Sequence, residues 1–264
     1  MDKLLLGRYI RGDSLVHRLD PRAKMILCFY FVLIIFLCNN WQSYLLLGTV
    51  TLLSVLLSKI DLSYFIKGVM PLIWLILFTV LLQVFFTRGG TTYWQFGPLT
   101  LTQFGLVNGF YVFCRFVLII FMSTLLTVTT TPLAIADATE SLMQPLKKLK
   151  VPVHEIALML SIALRFVPTL MDETTKIMNA QRSRGVDFSE GSLLSRIKAV
   201  IPLLIPLFVS ALTRAEDLAT AMEARGYRGG EGRSKYRLQV WHLQDTLALV
   251  FFFLVTLALI FLRN

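Results

Sequence analysis

Long apolar runs separated by short polar breaks fill the first half of the chain and return at its end. A helix needs about 20 mostly apolar residues to cross the hydrocarbon of a bilayer, somewhat fewer with tilt or snorkelling flanks. Five runs are read as crossings: Met25–Asn39 with Ala23 and Lys24 extending it, Trp41–Ser58, Val69–Phe86, Gly105–Thr130 and Val240–Leu262. The break at Cys38-Asn39-Asn40 is short and uncharged, that at Ser58–Gly68 carries Lys59 and Lys67, and that at Thr87–Phe104 carries only Arg88 among Gly, Thr and aromatic residues. The pattern predicts an all-α, polytopic membrane protein with about five transmembrane helices, four in residues 25–131 and the last in 239–264.

Between 132 and 238 the pattern changes. The segment is too long for an ordinary connector and too regular for disorder. Thr131-Pro132 starts a helix, because Thr accepts from free amides and Pro fits the first helical position; it runs to about Leu149 with a break at Pro145. Pro152 opens a second helix, on which Ile156, Met159, Leu160, Ala163, Val167, Leu170 and Met171 recur at spacings of three and four. It closes at Gly185, a good left-handed terminator. A third helix runs from about Ser192 to Arg225 and stops at Gly226. Its middle, Ala199–Leu212, is nearly all apolar, is punctuated by Pro202 and Pro206, and at about 14 residues reads as buried or interfacial rather than as a sixth crossing. Tyr227–Arg237 is a polar connector whose Gly229, Gly230 and Gly232 suggest a hinge. Residues 132–238 thus form a helical domain outside the bilayer, following an N-terminal segment, 1–24.

Charge decides the orientation. The chain has 264 residues, 56% hydrophobic, with a mean hydropathy of +0.68 and a net charge of +10. Segments 1–24, 59–68 and 132–238 hold six, two and fifteen Lys/Arg, leaving only Arg88, Arg115 and Arg263 elsewhere. The positive-inside rule therefore predicts a multi-pass protein of the plasma membrane with its N-terminus inside and its C-terminus outside. The same distribution accounts for the net charge, so no nucleic-acid partner is invoked. The first 24 residues lack an apolar core of signal-peptide type, so the first run is expected to remain as an anchor.

Chemistry is sparse. Cys28, Cys38 and Cys114 lie in apolar runs without CxxC spacing and read as packing thiols. His17, His154 and His242 are too scattered for a metal site, and His154-Glu155 is not followed by the second histidine of a zinc-protease motif, since position 158 is Leu. No phosphate-cradling Walker loop is present, so no cofactor is expected and any ATP must be hydrolysed by another chain. Arg115, inside the fourth run, must either snorkel to the headgroups or meet polar groups in the bundle or on a partner. Asp20-Pro21 reads as a cap and first-turn proline introducing the first span.

Function points to the ends of the two long helices. One closes in Gln181-Arg182-Ser183-Arg184-Gly185 and the other in Glu223-Ala224-Arg225-Gly226. An arginine in a last turn suits the helix dipole and a following glycine terminates the helix, so capping explains either ending alone. Two such endings, each with a small residue before the arginine, suit docking: the small side chain lets a partner approach and the guanidinium grips a carboxylate bidentately.

Together with Tyr9–Ser14, His17–Lys24, Thr130-Thr131-Pro132, Pro145-Leu146, Glu155–Met159, Ala163–Pro168 and Ala180-Gln181, these motifs resemble the transmembrane T component (EcfT family) of energy-coupling factor (ECF) transporters. The likeness covers nearly the whole chain. It implies crossed amphipathic coupling helices in 132–238, with Ser183, Arg184, Gly185, Ala224, Arg225 and Gly226 docking two ABC-type ATPases, identical or paralogous. It further implies a small membrane-embedded S component against the apolar faces, at Met159, Leu160, Ala163, Val167, Leu204, Leu207 and Phe208. The implied role is non-enzymatic: coupling of ATP-driven closure to vitamin or metal-ion uptake. Two rivals are weaker, an intramembrane enzyme, for which the spans lack Asp, Glu or His pairs, and a self-sufficient carrier, for which repeated halves and broken spans are missing.

Overall fold

A computed structural model describes residues 9–96, 99–186, 188, 192–229 and 239–263. Helices dominate: α1 (Leu15–Arg18), α2 (Pro21–Ile34), α3 (Trp41–Ser58), α4 (Leu62–Val69), α5 (Ile73–Phe86), α6 (Gln103–Thr129), α7 (Pro132–Met143), α8 (Val153–Ser183), α9 (Leu193–Ala224) and α10 (Leu243–Arg263). Between α5 and α6 the strands β1 (Thr92–Phe96) and β2 (Leu99–Thr102) form an antiparallel hairpin where an irregular connector was expected. Its Thr, Tyr and Trp residues favour extended backbone. The fold is all-α apart from this hairpin. Two compact units are formed, Met1–Ala138 with Leu238–Asn264, and Thr139–Arg237.

Among the described residues, six helices are long and apolar enough to cross a membrane. Four coincide with expected crossings: Trp41–Ser58, Leu62–Phe86, Gln103–Thr129 and Leu243–Leu262. The first expected crossing is shorter than that. It consists of α2 and a 3-10 turn, Ile35–Leu37, together roughly 27 Å long. The other two are Val153–Ser183 and Ile197–Ala224. As expected, α9 is one helix through Pro202 and Pro206, and the 28 residues from Ile197 to Ala224 extend well beyond its apolar middle, Ala199–Leu212.

In the first unit, the core gathers around Phe31, Ile35, Leu47, Phe65 and Leu259, all nearly inaccessible. Phe31 meets Phe252 edge-on, and Tyr44 stacks on Tyr111 with ring centroids 4.9 Å apart. Small residues let α6 approach its neighbours. A Cβ on Gly105 would lie 2.5 Å from the Val84 carbonyl oxygen, and one on Gly109 2.6 Å from Val84 Cγ2. Membrane helices pack by such close approach, since lipid supplies no hydrophobic drive between them. Gly105→Ala is therefore expected to lower the unfolding midpoint in detergent by an overpacking cost of about 1–3 kcal/mol, whereas Gly48→Ala, with open space around its Cβ position, leaves it unchanged.

A polar knot ties the start of α2 to the start of α10. Asp20 caps α2 as expected, accepting from Arg22 N at 2.8 Å with Pro21 in the first turn. Arg22 grips the same carboxylate, donates to Gln239 O and lies over the Trp241 ring. Asp245, 0% exposed, accepts from Asp20 N and from His242 N, each at 2.8 Å. Lys24, 7% exposed, donates to His17 O at 3.1 Å and Thr129 O at 3.0 Å. His17 bonds Ser14 Oγ and Ile10 O, holding the segment before α2 in place.

Arg115 takes the bundle alternative rather than snorkelling. Its Nη2 donates to Tyr44 Oη at 2.8 Å and its guanidinium lies 5.2 Å from the Phe36 ring centroid. Of the cysteines, Cys28 and Cys38 are buried and Cys114 half-buried, all with free thiols.

Candidate functional site

The second unit is built on α8 and α9, which run antiparallel. Gln181 near the end of α8 reaches Pro202 O in the first half of α9. Glu173, further back on α8, accepts from Ser210 Oγ and from Arg214 Nη2 further along α9. The start of α8, at Leu158–Arg165, shares a cavity with the end of α9. Antiparallel pairing puts the two arginine endings at opposite ends of the pair, roughly 30–40 Å apart along the α8 axis.

Both endings close in the same way. On α8, Gly185 N donates to Arg182 O and Val186 N to Gln181 O; on α9, Gly226 N donates to Glu223 O and Tyr227 N to Met222 O. This is the paired hydrogen-bond pattern of the Schellman motif, which consumes the last orphan carbonyls of a helix. It requires a left-handed residue after the cap, and Gly185 has φ +85° and Gly226 φ +72°. Nothing lies within 4 Å of where either Cβ would be, so the backbone conformation, not crowding, demands glycine. Gly226→Ala is expected to cost about 1–2 kcal/mol at the tip, read as faster amide exchange at Tyr227, and Gly226→Asn clearly less.

The caps present Arg184 and Arg225 to solvent, flanked by exposed Ser183 and Ala224. Around Arg225 the structure adds what sequence reading missed. Arg165 from α8 and Arg228 beyond the cap line the same cavity as Arg225, about 380 Å³, over a floor that includes Leu158, Ile162 and Met222. Among the described residues none of these three guanidiniums, nor Arg184, is in an ion pair. Converging unpaired positive charge over an apolar floor suits an acidic group carried on a folded surface. A polar residue interrupting the apolar face of α8 at Arg165 was the available signal, but its partner lies on another helix.

The apolar faces are uncovered. Met159, Leu160, Leu204 and Phe208 are exposed by 62, 40, 52 and 65%, Ala163 is exposed, and Val167 and Leu207 are half-buried. Ile197, Ile201, Ile205 and Val209 widen the surface on α9. Pro206 has no N–H for Pro202 O, and the Gln181 side chain, 3.5 Å away, occupies that carbonyl instead. No group of three or more His, Cys, Asp or Glu suited to a metal occurs among the described residues. The expected hinge at Gly229, Gly230 and Gly232 lies mostly outside the described residues; Gly229 has φ +90°.

A bundle of apolar helices joined to a helical unit with uncovered apolar faces and arginine tips has the layout of a multi-pass membrane protein. The family described as cobalt transport protein, CbiQ, matches residues 12–236. The chain is 63% identical over 263 residues to the energy-coupling factor transporter transmembrane protein EcfT of Lacticaseibacillus paracasei, covering 100% of both chains. It is 56% identical over 264 residues to EcfT 1 of Listeria monocytogenes, covering 100% of this chain and 99% of that one, and 54% identical over 263 residues to EcfT of Bacillus subtilis, with the same coverage. The chain belongs to the CbiQ family and is a transmembrane component of an energy-coupling factor transporter of the EcfT kind.

Proposed function

We propose that this chain is the coupling subunit of an ECF-type ABC importer, carrying ATP-driven closure of two ATPase subunits to a membrane-embedded S component for vitamin or metal-ion uptake. The observation that carries this reading is the pair of identically capped arginine tips at opposite ends of one antiparallel helix pair. Two separate partners can each take one tip, and drawing them together loads the helices between. Ser183-Arg184-Gly185 and Ala224-Arg225-Gly226 are the docking motifs, with Arg165 and Arg228 adding charge at the second. The apolar faces around Met159, Leu160, Ala163, Val167, Leu204, Leu207 and Phe208 receive the S component, which removes them from water. Residues 132–238 form the cytosolic coupling domain and the N-terminus lies inside, in line with the distribution of Lys and Arg. Hydrolysis of ATP belongs to the partners.

Reconstitution in liposomes tests this. The chain alone, or with an S component but no ATPases, imports nothing; the complete set imports vitamin or metal ion in an ATP-dependent manner. Uptake by the chain alone would overturn the reading in favour of a self-sufficient carrier.

A further inference from the structure

The first unit contains a cavity of about 440 Å³ at the end of the bundle that carries the polar knot. Four membrane helices and α1 line it, and it is open on one side. Its wall is hydrocarbon for most of its extent, from Leu27 on α2, Leu53 on α3, Met122 on α6 and Phe251 on α10. The wall turns polar where these helices end, at Lys24, Thr129 and Gln244. The ammonium of Lys24 has three N–H donors and spends two, on His17 O and Thr129 O. Gln244 is exposed, and its side-chain amide makes no hydrogen bond among the described residues. Lys59, two residues beyond the lining residue Leu57, adds positive charge near this end and acts on the Asp13 carboxylate.

An apolar chamber with a cationic mouth has the layout of a single-tailed amphiphile. Size agrees with this. An apolar cavity of about 150 Å³ takes one benzene, so roughly three times that volume takes about 18 carbons, one acyl chain. Left empty, the lining would forfeit its dispersion contacts across the gap. We propose that the cavity holds one acyl chain of an anionic phospholipid whose phosphate accepts from Lys24 and Gln244. A choline headgroup would set its own positive charge against Lys24 and Lys59, so phosphatidylglycerol is preferred to phosphatidylcholine. This assignment does not depend on the coupling role or on which way the chain crosses the membrane.

Native mass spectrometry of the full chain in mild detergent, with equal phosphatidylglycerol and phosphatidylcholine added, tests it. One retained phosphatidylglycerol is expected, favoured about thirtyfold, the factor that roughly 1 kcal/mol for each of Lys24 and Lys59 gives. Ala248→Phe and, independently, Ser54→Leu project into the cavity from α10 and α3 and remove that adduct. Absence of any adduct on the unaltered chain, or equal retention of the two lipids, overturns the proposal. So does an adduct that survives in both filled variants when each still elutes and melts like the parent.

Discussion

Alanine in place of both Arg184 and Arg225 is expected to abolish recovery of the ATPase subunits with the tagged chain, and transport with it. Each guanidinium is proposed to form a desolvated pair with a partner carboxylate, and removing one member of such a pair costs about 3–5 kcal/mol, roughly two to four decades in affinity. The single variants should differ. Arg225 shares its cavity with Arg165 and Arg228, so Arg225→Ala leaves two guanidiniums at that dock, whereas at the other tip Arg182 alone stands close along the chain. Arg184→Ala is therefore the more damaging single change, and Arg165→Ala with Arg228→Ala sensitises the Arg225 end. Arg→Lys at either tip restores the charge without the planar fork and rescues only in part. Undiminished ATPase recovery from the double alanine variant would sink the docking proposal.

Asp245→Ala should be the most damaging single change to stability. The carboxylate is wholly buried, accepts from two backbone amides and stands among Asp20, Arg22 and Lys24. Its removal strands those two donors, at about 1–3 kcal/mol for each unsatisfied buried group, and leaves the buried Lys24 with less negative charge nearby. Thermal unfolding in detergent should show a midpoint well below the parent, with Asp245→Asn between the two because it keeps one acceptor oxygen. Asp13→Ala is the contrasting case. Arg18 holds the Asp13 carboxyl below the usual carboxylate range, by hydrogen bond first and charge second, yet both side chains are largely exposed. No change in midpoint is expected there. An Asp245→Ala chain that melts with the parent would show that the knot adds nothing to stability.

These two groups of residues mark the limit of what could be read from the chain. The arginine tips were legible because everything that makes them is local: a last turn, a small residue, a glycine within two positions. The Asp20-Pro21 cap was legible for the same reason. Asp245 was not, because its partner amide is 225 residues away and an acid before an apolar run looks like any first-turn helix residue. Arg165 and Arg228 reach Arg225 only through the antiparallel register of α8 and α9, which no spacing within either helix encodes. The hairpin between α5 and α6 was not legible, because a few Thr and aromatic residues do not name their pairing partner, whereas the first span, Pro21–Leu37, matches the apolar run to within two residues at each end. In α9 the two prolines punctuate one continuous helix, as expected.

Those prolines give α9 an uneven stiffness. Pro202 and Pro206 each delete one rung of the hydrogen-bond ladder, a local weakening of about 3 kcal/mol apiece in an ordinary helix, while the stretch from 207 to 224 contains no proline. Under axial load the member yields first over that weakened interval, which faces the Gln181 side chain four residues before the α8 cap ends. On the proposed docking of both tips, the Arg184 end packs beside this weakened interval of α9 and the Arg225 end beside the stretch of α8 that Pro168 weakens in turn, so each load path contains one compliant joint.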